Sequence, residues 1–345
     1  MVPQIERQQP PGFSIGRSGL ARRDSERLFA TFGERPGTAS DIPQAQEWLQ
    51  RATDFMSSHH ERVSRIAGRA IVDGTFLEGL NPNSALAASI EGIIPVSNTQ
   101  EKLFMVMFGV NHLSRQDQDV TRRPPVDLDS NTLAKAWQDL GETPPLQRIE
   151  SIRRDPNYVV VDTMPSEEGQ RMQISNLLRD TFGRTEKEIE SLSQKLAEAK
   201  DNPQTRSAWF SAIFNRDGDI VAVAMAEALE IAGVLVVEST EWVTHKNYLR
   251  NGYGPAVVSD VTNQVVHDLR RSQMPWVIYA ETNVDKLVKA YALAIRAGYG
   301  LVDTLPAGVP FATPQMLNSS TRVNGIMSNF RLVSLPEENS RQYYN

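Results

Sequence analysis

The sequence predicts an α+β protein in which a central, mostly antiparallel sheet is flanked by helices and preceded by a mainly helical N-terminal module. Short apolar runs and amphipathic stretches after residue 155 follow the order β, α, α, β, β, β, α, β, α, β. The turn signal "RDGD" at 216–219 joins two of these runs, since glycine accepts the positive φ of a hairpin. Before residue 150, by contrast, apolar residues recur mainly at helical spacing.

The composition restricts the chemistry and the location. The 345 residues suffice for two domains, and 40% hydrophobic with 23% charged residues is typical of a globular protein. The absence of cysteine excludes disulfides, thiolate metal sites and a cysteine nucleophile. The net charge of −6 argues against a nucleic-acid partner. No apolar segment suits a signal peptide or a membrane span, so we expect no membrane association and a cytoplasmic location.

Three regions follow one another along the chain. Residues 1–40 are rich in Pro, Gly, Arg and Ser, which predicts an extended or irregular arm. Residues 41–150 form the mainly helical module, of unknown role, and its first helix is expected from Ile42 to about Ala70. The apolar run Leu103–Val110 fits a buried strand and a helix equally well. Residues 155–336 form the third region.

The elements of the third region are predicted from quoted runs. "NYVVVDTMP" is a strand, and "SEEGQRMQISNLLRDTF" and "TEKEIESLSQKLAEAK" are helices with acidic first turns. Ser207–Asn215, Ile220–Ala228 and "VLVVESTEWV" form an antiparallel meander. A helix after the glycine loop, the strand "WVIYAET", a helix over 284–297 and the β tail "RVNGIMSNFRLVSL" complete the order.

The glycine loop is the first candidate site. In "VTHKNYLRNGYGPAV", residues 243–257, Gly252 and Gly254 lie between a strand and a helix that Pro255 can begin. A helix N-terminus presents unsatisfied N–H groups and a positive dipole, and glycine lets an anion approach the backbone closely. The sequence therefore predicts an anion site made of main chain, and a simple tight turn is the alternative.

The element order and this loop resemble the GCN5-related N-acetyltransferase family over Tyr158 to Leu335. The loop keeps Val243, Tyr248 and both glycines of the family signature V-x-P-x-[Y/F]-R-x-x-G-x-G. Leu249 stands where the family usually has Arg or Gln, and Lys246 stands where Pro is common. This stretch is particularly similar to the beta-lysine N-acetyltransferases. A second signature, Asn283 followed by a helix and Gly298-Tyr299, occurs in the same order as in the family.

The resemblance implies an acetyl-CoA-dependent N-acetyltransferase without a metal. Its expected acceptor is the primary amine of a small molecule, which attacks acetyl-CoA directly in a ternary complex, and a homodimer is possible. A non-catalytic binding or scaffold module and a protein-directed acetyltransferase recruited through the N-terminal module are the alternatives. The implied coenzyme-binding residues are Val243, His245, Leu249, Arg250, Asn251, Gly252, Tyr253, Gly254 and Asn283.

The resemblance also implies a base on the fourth strand and an acid on the helix after Asn283. Glu238 and Glu241 are three residues apart, so a regular strand places them on opposite faces. We select Glu241 because it lies nearer the point where the fourth and fifth strands separate, although both carboxylates could be solvated. Tyr291 is the candidate acid, with a core tyrosine as the alternative.

Two charged clusters receive weaker interpretations. His59, His60 and Glu61 are adjacent, and adjacent side chains on a helix point about 100° apart, so we predict no metal site. The acidic run 185–200 is expected to be a solvated helix face, on which some residues could meet a cationic amine. These residues are Glu186, Glu188 and Glu190.

Overall fold

The described residues form two β-sheets, each with helices, and this confirms the α+β fold class. The computed structural model describes residues 13–17, 26–32, 35–59, 63–111, 143–182, 190, 193–194, 196, 207–283, 288–302, 319–323 and 326–343. The first sheet has five strands and the second has eight. Within these ranges, no helix combines the length and apolar character that a membrane span needs.

The first sheet has the strand order β1-β2-β3-β5-β4. Only the β2–β3 pair is parallel, and helix α1 connects these two strands. The elements of this part are β1 (Phe13–Arg17), β2 (Glu26–Phe32), α1 (Ile42–His59), β3 (Val63–Asp73), α2 (Gly74–Gly79), α3 (Ala85–Ala88), β4 (Ile90–Pro95) and β5 (Leu103–Asn111).

This sheet corrects the expectation of a mainly helical N-terminal module and of an arm without regular elements. Helix α1 is present as predicted, but it ends at His59 and a strand replaces its expected continuation to Ala70. Strand β5 is buried on both sides: Phe104 and Phe108 contact α1 and its neighbours, whereas Met105 packs against the second sheet. Two-sided burial removes the alternation that marks a strand in the sequence.

The second sheet has the order β11-β13-β10-β9-β8-β7-β6, with β12 paired to β13. All pairs are antiparallel except β9–β10, which α6 connects. Its elements are α4 (Pro145–Arg154), β6 (Tyr158–Val161), α5 (Glu168–Phe182), β7 (Ala208–Asn215), β8 (Ile220–Ile231), β9 (Val234–Thr244), α6 (Tyr253–Ser272), β10 (Trp276–Asn283), α7 (Val288–Arg296), β11 (Gly300–Leu301), β12 (Ser319–Val323), β13 (Ile326–Ser334) and α8 (Glu337–Ser340).

This order confirms most of the elements predicted after residue 155; the predicted β tail is two strands, β12 and β13, and the short elements β11 and α8 were not predicted. The sequence did not indicate α4, which precedes the first predicted strand. Most of the predicted helix 185–200 lies outside the described residues; Glu190 and Leu196 have helical backbone, and Leu196 is buried against α5.

The two sheets pack against each other through a shared apolar layer. Ile71 and Met105 of the first sheet meet Val236, Val277 and Leu332 of the second in one buried cluster. Helices α4, α6 and α7 cover the face of the second sheet that points away from the first sheet. On the face that points toward the first sheet, α5 covers strands β7 and β8. The N-terminal part therefore supports the strands β9 and β10 directly.

Candidate active site

The parallel strands β9 and β10 separate partway along their length. Their pairing runs from Leu235–Trp276 to Glu238–Tyr279, after which β9 pairs only with β8 and β10 only with β13. Ligands of open sheets with parallel strands bind in the crevice beyond the carboxyl ends, where neighbouring strands part. The opening between β9 and β10 is therefore the natural place for a site.

Strand β9 carries a β-bulge within this opening. Thr240 pairs with Met225 and Val243 pairs with Val223, so β9 has one residue more than β8 between these pairs. Glu241 lies in the bulge with a left-handed φ of 56°, and its side chain is buried, with 4% of the residue exposed. Left-handed backbone in a non-glycine residue is strained and is found preferentially at functional sites. Because of the bulge, the alternation of side chains between the two faces of a regular strand does not hold at Glu241, so the expectation that Glu238 and Glu241 lie on opposite faces does not apply.

Glu238, the other candidate base, has partners from both sheets. Its Oε2 atom accepts hydrogen bonds from Arg69 Nη2 at 2.7 Å and from the Tyr279 hydroxyl at 3.0 Å. Burial alone would lower the pKa of Arg69, but the charges of Tyr279, Glu238 and Glu281 raise it above its usual value. Glu238 is thus half of a buried ion pair, and this ion pair leaves Glu241 as the candidate base of the two.

The loop from β9 to α6 contains two left-handed residues. Arg250 has φ 69° and Gly252 has φ 75°, and the helix begins at Tyr253. The first intrahelical bond runs from the Ala256 amide to the Gly252 carbonyl at 3.2 Å, so the amides of the first turn have no acceptor within the helix. The sequence predicted Pro255 as the first helical residue; it is the third, where its missing N–H is equally harmless.

Gly254 lies where the helix touches the end of β9. A Cβ atom at this position would be 2.8 Å from Thr244 Oγ1 and 3.3 Å from Leu293 Cδ1 of α7. The first distance is shorter than a van der Waals contact allows, so only glycine permits this approach. β9, α6 and α7 therefore converge at one point beside the loop.

Three side chains that the sequence analysis did not predict contact the loop, namely those of Arg148, Tyr158 and Asn215. Arg148 of α4 donates a hydrogen bond to the Asn251 carbonyl at 3.1 Å, and its guanidinium lies 5.3 Å from the centre of the Tyr253 ring. The Tyr253 hydroxyl donates to the Tyr158 hydroxyl, and burial, followed by this bond, raises the pKa of Tyr253. Asn215 donates to the Tyr248 hydroxyl at 2.8 Å. Arg148 precedes the stretch that carries the family resemblance, so no motif indicated it.

The remaining predicted coenzyme residues are distributed around this point. His245 begins the 3-10 turn Lys246–Tyr248, and its Nδ1 accepts from the Asn247 amide at 3.4 Å. Leu249 is exposed, with 56% of its surface accessible. Val243 packs into the cluster beneath α5, so its side chain points into the core.

The structure describes only the backbone of two further candidates. Asn283 is the last residue of β10 and pairs with Phe330, and Tyr291 lies in α7, two residues before Leu293. The side chains of both lie outside the described part of the structure. Their backbone positions place them at the end of β10 and in the helix that contacts Gly254.

Two predictions about charged clusters fall largely on residues that the structure does not describe. His60, Glu61, Glu186 and Glu188 lie outside the described residues, whereas Glu190 is exposed. Within the described ranges, no group of three or more His, Asp or Glu side chains is placed to hold a metal ion.

Comparison with known proteins identifies similar solved structures. No protein-family model and no curated protein matches the sequence. A Desulfovibrio desulfuricans protein described as a GNAT-family acetyltransferase aligns with 52% of this chain and 98% of its own, at 15% identity and a TM-score of 0.34. Spermidine N-acetyltransferase from Vibrio cholerae, in complex with CoA and spermine, aligns with 55% of this chain and 100% of its own, at 13% identity and a TM-score of 0.37. Both proteins are described as acetyltransferases, and nearly half of this chain lies outside the two alignments.

Proposed function

We propose that the protein is an acetyl-CoA-dependent N-acyltransferase that acetylates the primary amine of a small molecule by direct attack in a ternary complex. One observation carries this proposal. The left-handed residues Arg250 and Gly252 lead into the N-terminus of α6 beside the opening between β9 and β10. This arrangement offers main-chain donors for an anion next to a crevice that can hold an extended ligand.

Acetyl-CoA fits both parts of this arrangement. Its pyrophosphate would accept hydrogen bonds from the amides of residues 249–254, and the arm that carries the thioester would extend toward the opening. Main-chain donors make the side chain at position 249 dispensable, which is consistent with the exposed Leu249. The guanidinium of Arg148, beside Asn251, adds a positive charge near the loop.

The chemistry requires one base and one acid. The amine nitrogen attacks the thioester carbonyl carbon, the new C–N bond forms, and the C–S bond breaks. Glu241 would accept the proton that the amine loses, directly or through water, and Tyr291 would donate the proton that the leaving thiolate gains. Glu241 suits its role because it lies in the bulge within the opening, and Tyr291 because α7 contacts the start of α6.

Calorimetric titration with acetyl-CoA tests the first half of the proposal. We expect saturable binding that weakens with increasing salt, since part of the attraction is between charges. No binding at millimolar acetyl-CoA would contradict the proposal. Titration with S-acetylpantetheine is the control, because this compound keeps the thioester arm of acetyl-CoA but lacks the pyrophosphate and should bind much more weakly.

Thiol release tests the second half. The protein is incubated with acetyl-CoA and with separate panels of amino acids, polyamines and peptides, and free coenzyme A is measured. Acceleration by a free amine supports the proposal, whereas acceleration by peptides alone would assign a protein acceptor. Tight binding without release in any panel would support a non-catalytic module, the alternative that the departures at Leu249 and Lys246 favour.

A further inference from the structure

The two sheets of the protein contain the same structural unit. In each, an antiparallel pair leads into two parallel strands joined by a helix, and two further strands, antiparallel to each other, complete the order on the far side. The strands β1-β2-β3-β5-β4 correspond to β8-β9-β10-β13-β11, and α1 corresponds to α6. The correspondence extends to the packing, because Met105 and Leu332 occupy the same register position and both lie in the shared layer.

In the first unit, the opening between the parallel strands is closed. A parallel bridge joins Gly37 to Val72 beyond the last regular pair, with hydrogen bonds from the Gly37 amide to the Ile71 carbonyl and from the Asp73 amide to the Gly37 carbonyl. The carboxylate of Asp41 accepts from the Thr38 amide at 2.8 Å at the start of the helical segment. In the first unit, the carboxylate of Asp41 therefore occupies the position at the start of the helical segment that corresponds to the glycine loop of the second unit.

Arg69 links the two units at equivalent positions. The last regular pair of the first unit is Thr31–Arg69, and that of the second is Glu238–Tyr279, so Arg69 corresponds to Tyr279. The guanidinium of Arg69 lies 5.1 Å from the centre of the Tyr279 ring and donates to Glu238. The side chains of Arg69 and Glu238 are 8% and 13% exposed. This contact thus holds both strands of the last β9–β10 pair.

We propose that Arg69 is a positioning residue for the acetyl transfer assigned above, on which this inference rests. Arg69 fixes Glu238 and Tyr279, and so it sets the point at which β9 and β10 separate, three residues before Glu241. Without Arg69 the largely buried carboxylate of Glu238 loses its cationic partner and keeps the Tyr279 hydroxyl, so it turns toward water or binds a proton, and β9 moves with it. The bulge and Glu241 then shift, whereas the loop at α6, anchored by Arg148 and Gly254, stays in place.

The test measures binding, turnover and local opening in the full chain. Arg69→Met should lower kcat at least tenfold and change the Kd for acetyl-CoA less than threefold. Amide hydrogen exchange in residues 239–244 should accelerate at least tenfold more than in β7. The matched control is Arg153→Met, which removes an ion pair with Asp260 of 2.9 Å on the other face of the sheet. It should lower Tm and leave both kcat and the exchange of 239–244 unchanged.

A double variant separates positioning from stability. Arg69→Met/Glu238→Met leaves no buried charge without its partner, so Tm should recover toward the wild-type value while kcat stays low. Recovery of kcat together with Tm would overturn the proposal, and so would wild-type kcat in Arg69→Met. If Arg69→Met does not fold, the double variant and Arg69→Lys give the same comparison.

The exchange measurement also separates this inference from the proposed function. If the wild-type protein binds no acetyl-CoA, the proposed function fails. Slow, uniform exchange in Arg69→Met would instead refute the positioning role, whatever the activity of the wild-type protein.

Discussion

Replacing Gly254 with alanine tests the contact that joins the loop to β9. The added Cβ would lie 2.8 Å from Thr244 Oγ1, about 0.6 Å closer than an ordinary contact permits, and 3.3 Å from Leu293 Cδ1, so we expect α6 to move away from β9 and α7. Overpacking of this kind costs about 1–3 kcal/mol, and the better helix propensity of alanine offsets up to about 1 kcal/mol. We therefore expect a net loss of about 1 kcal/mol in the free energy of unfolding.

The displacement should reduce affinity more clearly than stability. The main-chain donors of the first turn move with α6. We therefore expect acetyl-CoA to bind about tenfold more weakly, which corresponds to a loss of about 1.4 kcal/mol in binding free energy. Calorimetry gives the Kd and thermal unfolding gives the stability. The matched control is Gly169→Ala, since Gly169 is the second residue of α5, as Gly254 is of α6, and its nearest neighbour atom would be 3.8 Å away.

A second substitution makes the reasoning refutable. Thr244→Ala removes the atom that the new Cβ would meet, so Thr244→Ala/Gly254→Ala should regain most of the lost affinity. Unchanged affinity in Gly254→Ala, or no recovery in the double variant, would refute the assignment of this loop as the coenzyme site.

Four further predictions concern the chemistry and the first unit. Glu241→Gln should lower kcat about 10²–10⁴-fold with unchanged Kd for acetyl-CoA, because an amide cannot accept the proton; initial rates and calorimetry measure both. Tyr291→Phe should lower kcat about tenfold or more at neutral pH, and thiol release measures it; wild-type kcat would leave the acid unassigned. Calorimetry should give one acetyl-CoA per chain, since Asp41 occupies the corresponding place in the first unit. Burial alone would raise the pKa of Asp41, but hydrogen bonds from Arg35 and Thr38 lower it. Asp41 therefore stabilises the fold at neutral pH and loses this contribution as the pH falls below about 4. Asp41→Asn should thus lower Tm more at pH 7 than at pH 3, and an equal effect at both pH values would contradict this.

The sequence predicted the second sheet and its helices well because their signals are local. "RDGD" fixes a turn within four residues, and the spacing of Val257, Val258 and Val261 fixes the inward face of a helix. The glycine loop was located for the same reason, since a strand, two glycines and a proline are adjacent in the chain.

The first unit was missed because its strands are specified by distant partners. Met105 is buried because it packs in one cluster with Val236 and Leu332, which lie more than a hundred residues further along the chain, and no local sequence pattern indicates these contacts. The ion pair of Arg69 and Glu238 is equally invisible, since 169 residues separate its members. The bulge at Glu241 likewise depends on its pairing with β8 and not on residue type.

The apolar layer between the sheets also affects how the chain matures. The first sheet is complete when Asn111 has been made, but its outward-facing Met105 meets Leu332 only after most of the second sheet has been made. At about 5–20 residues per second, a ribosome needs roughly ten to forty-five seconds for the intervening chain. During this interval the apolar face of the first sheet that later contacts the second sheet is exposed to solvent, so a chain terminated after Asn111 should aggregate.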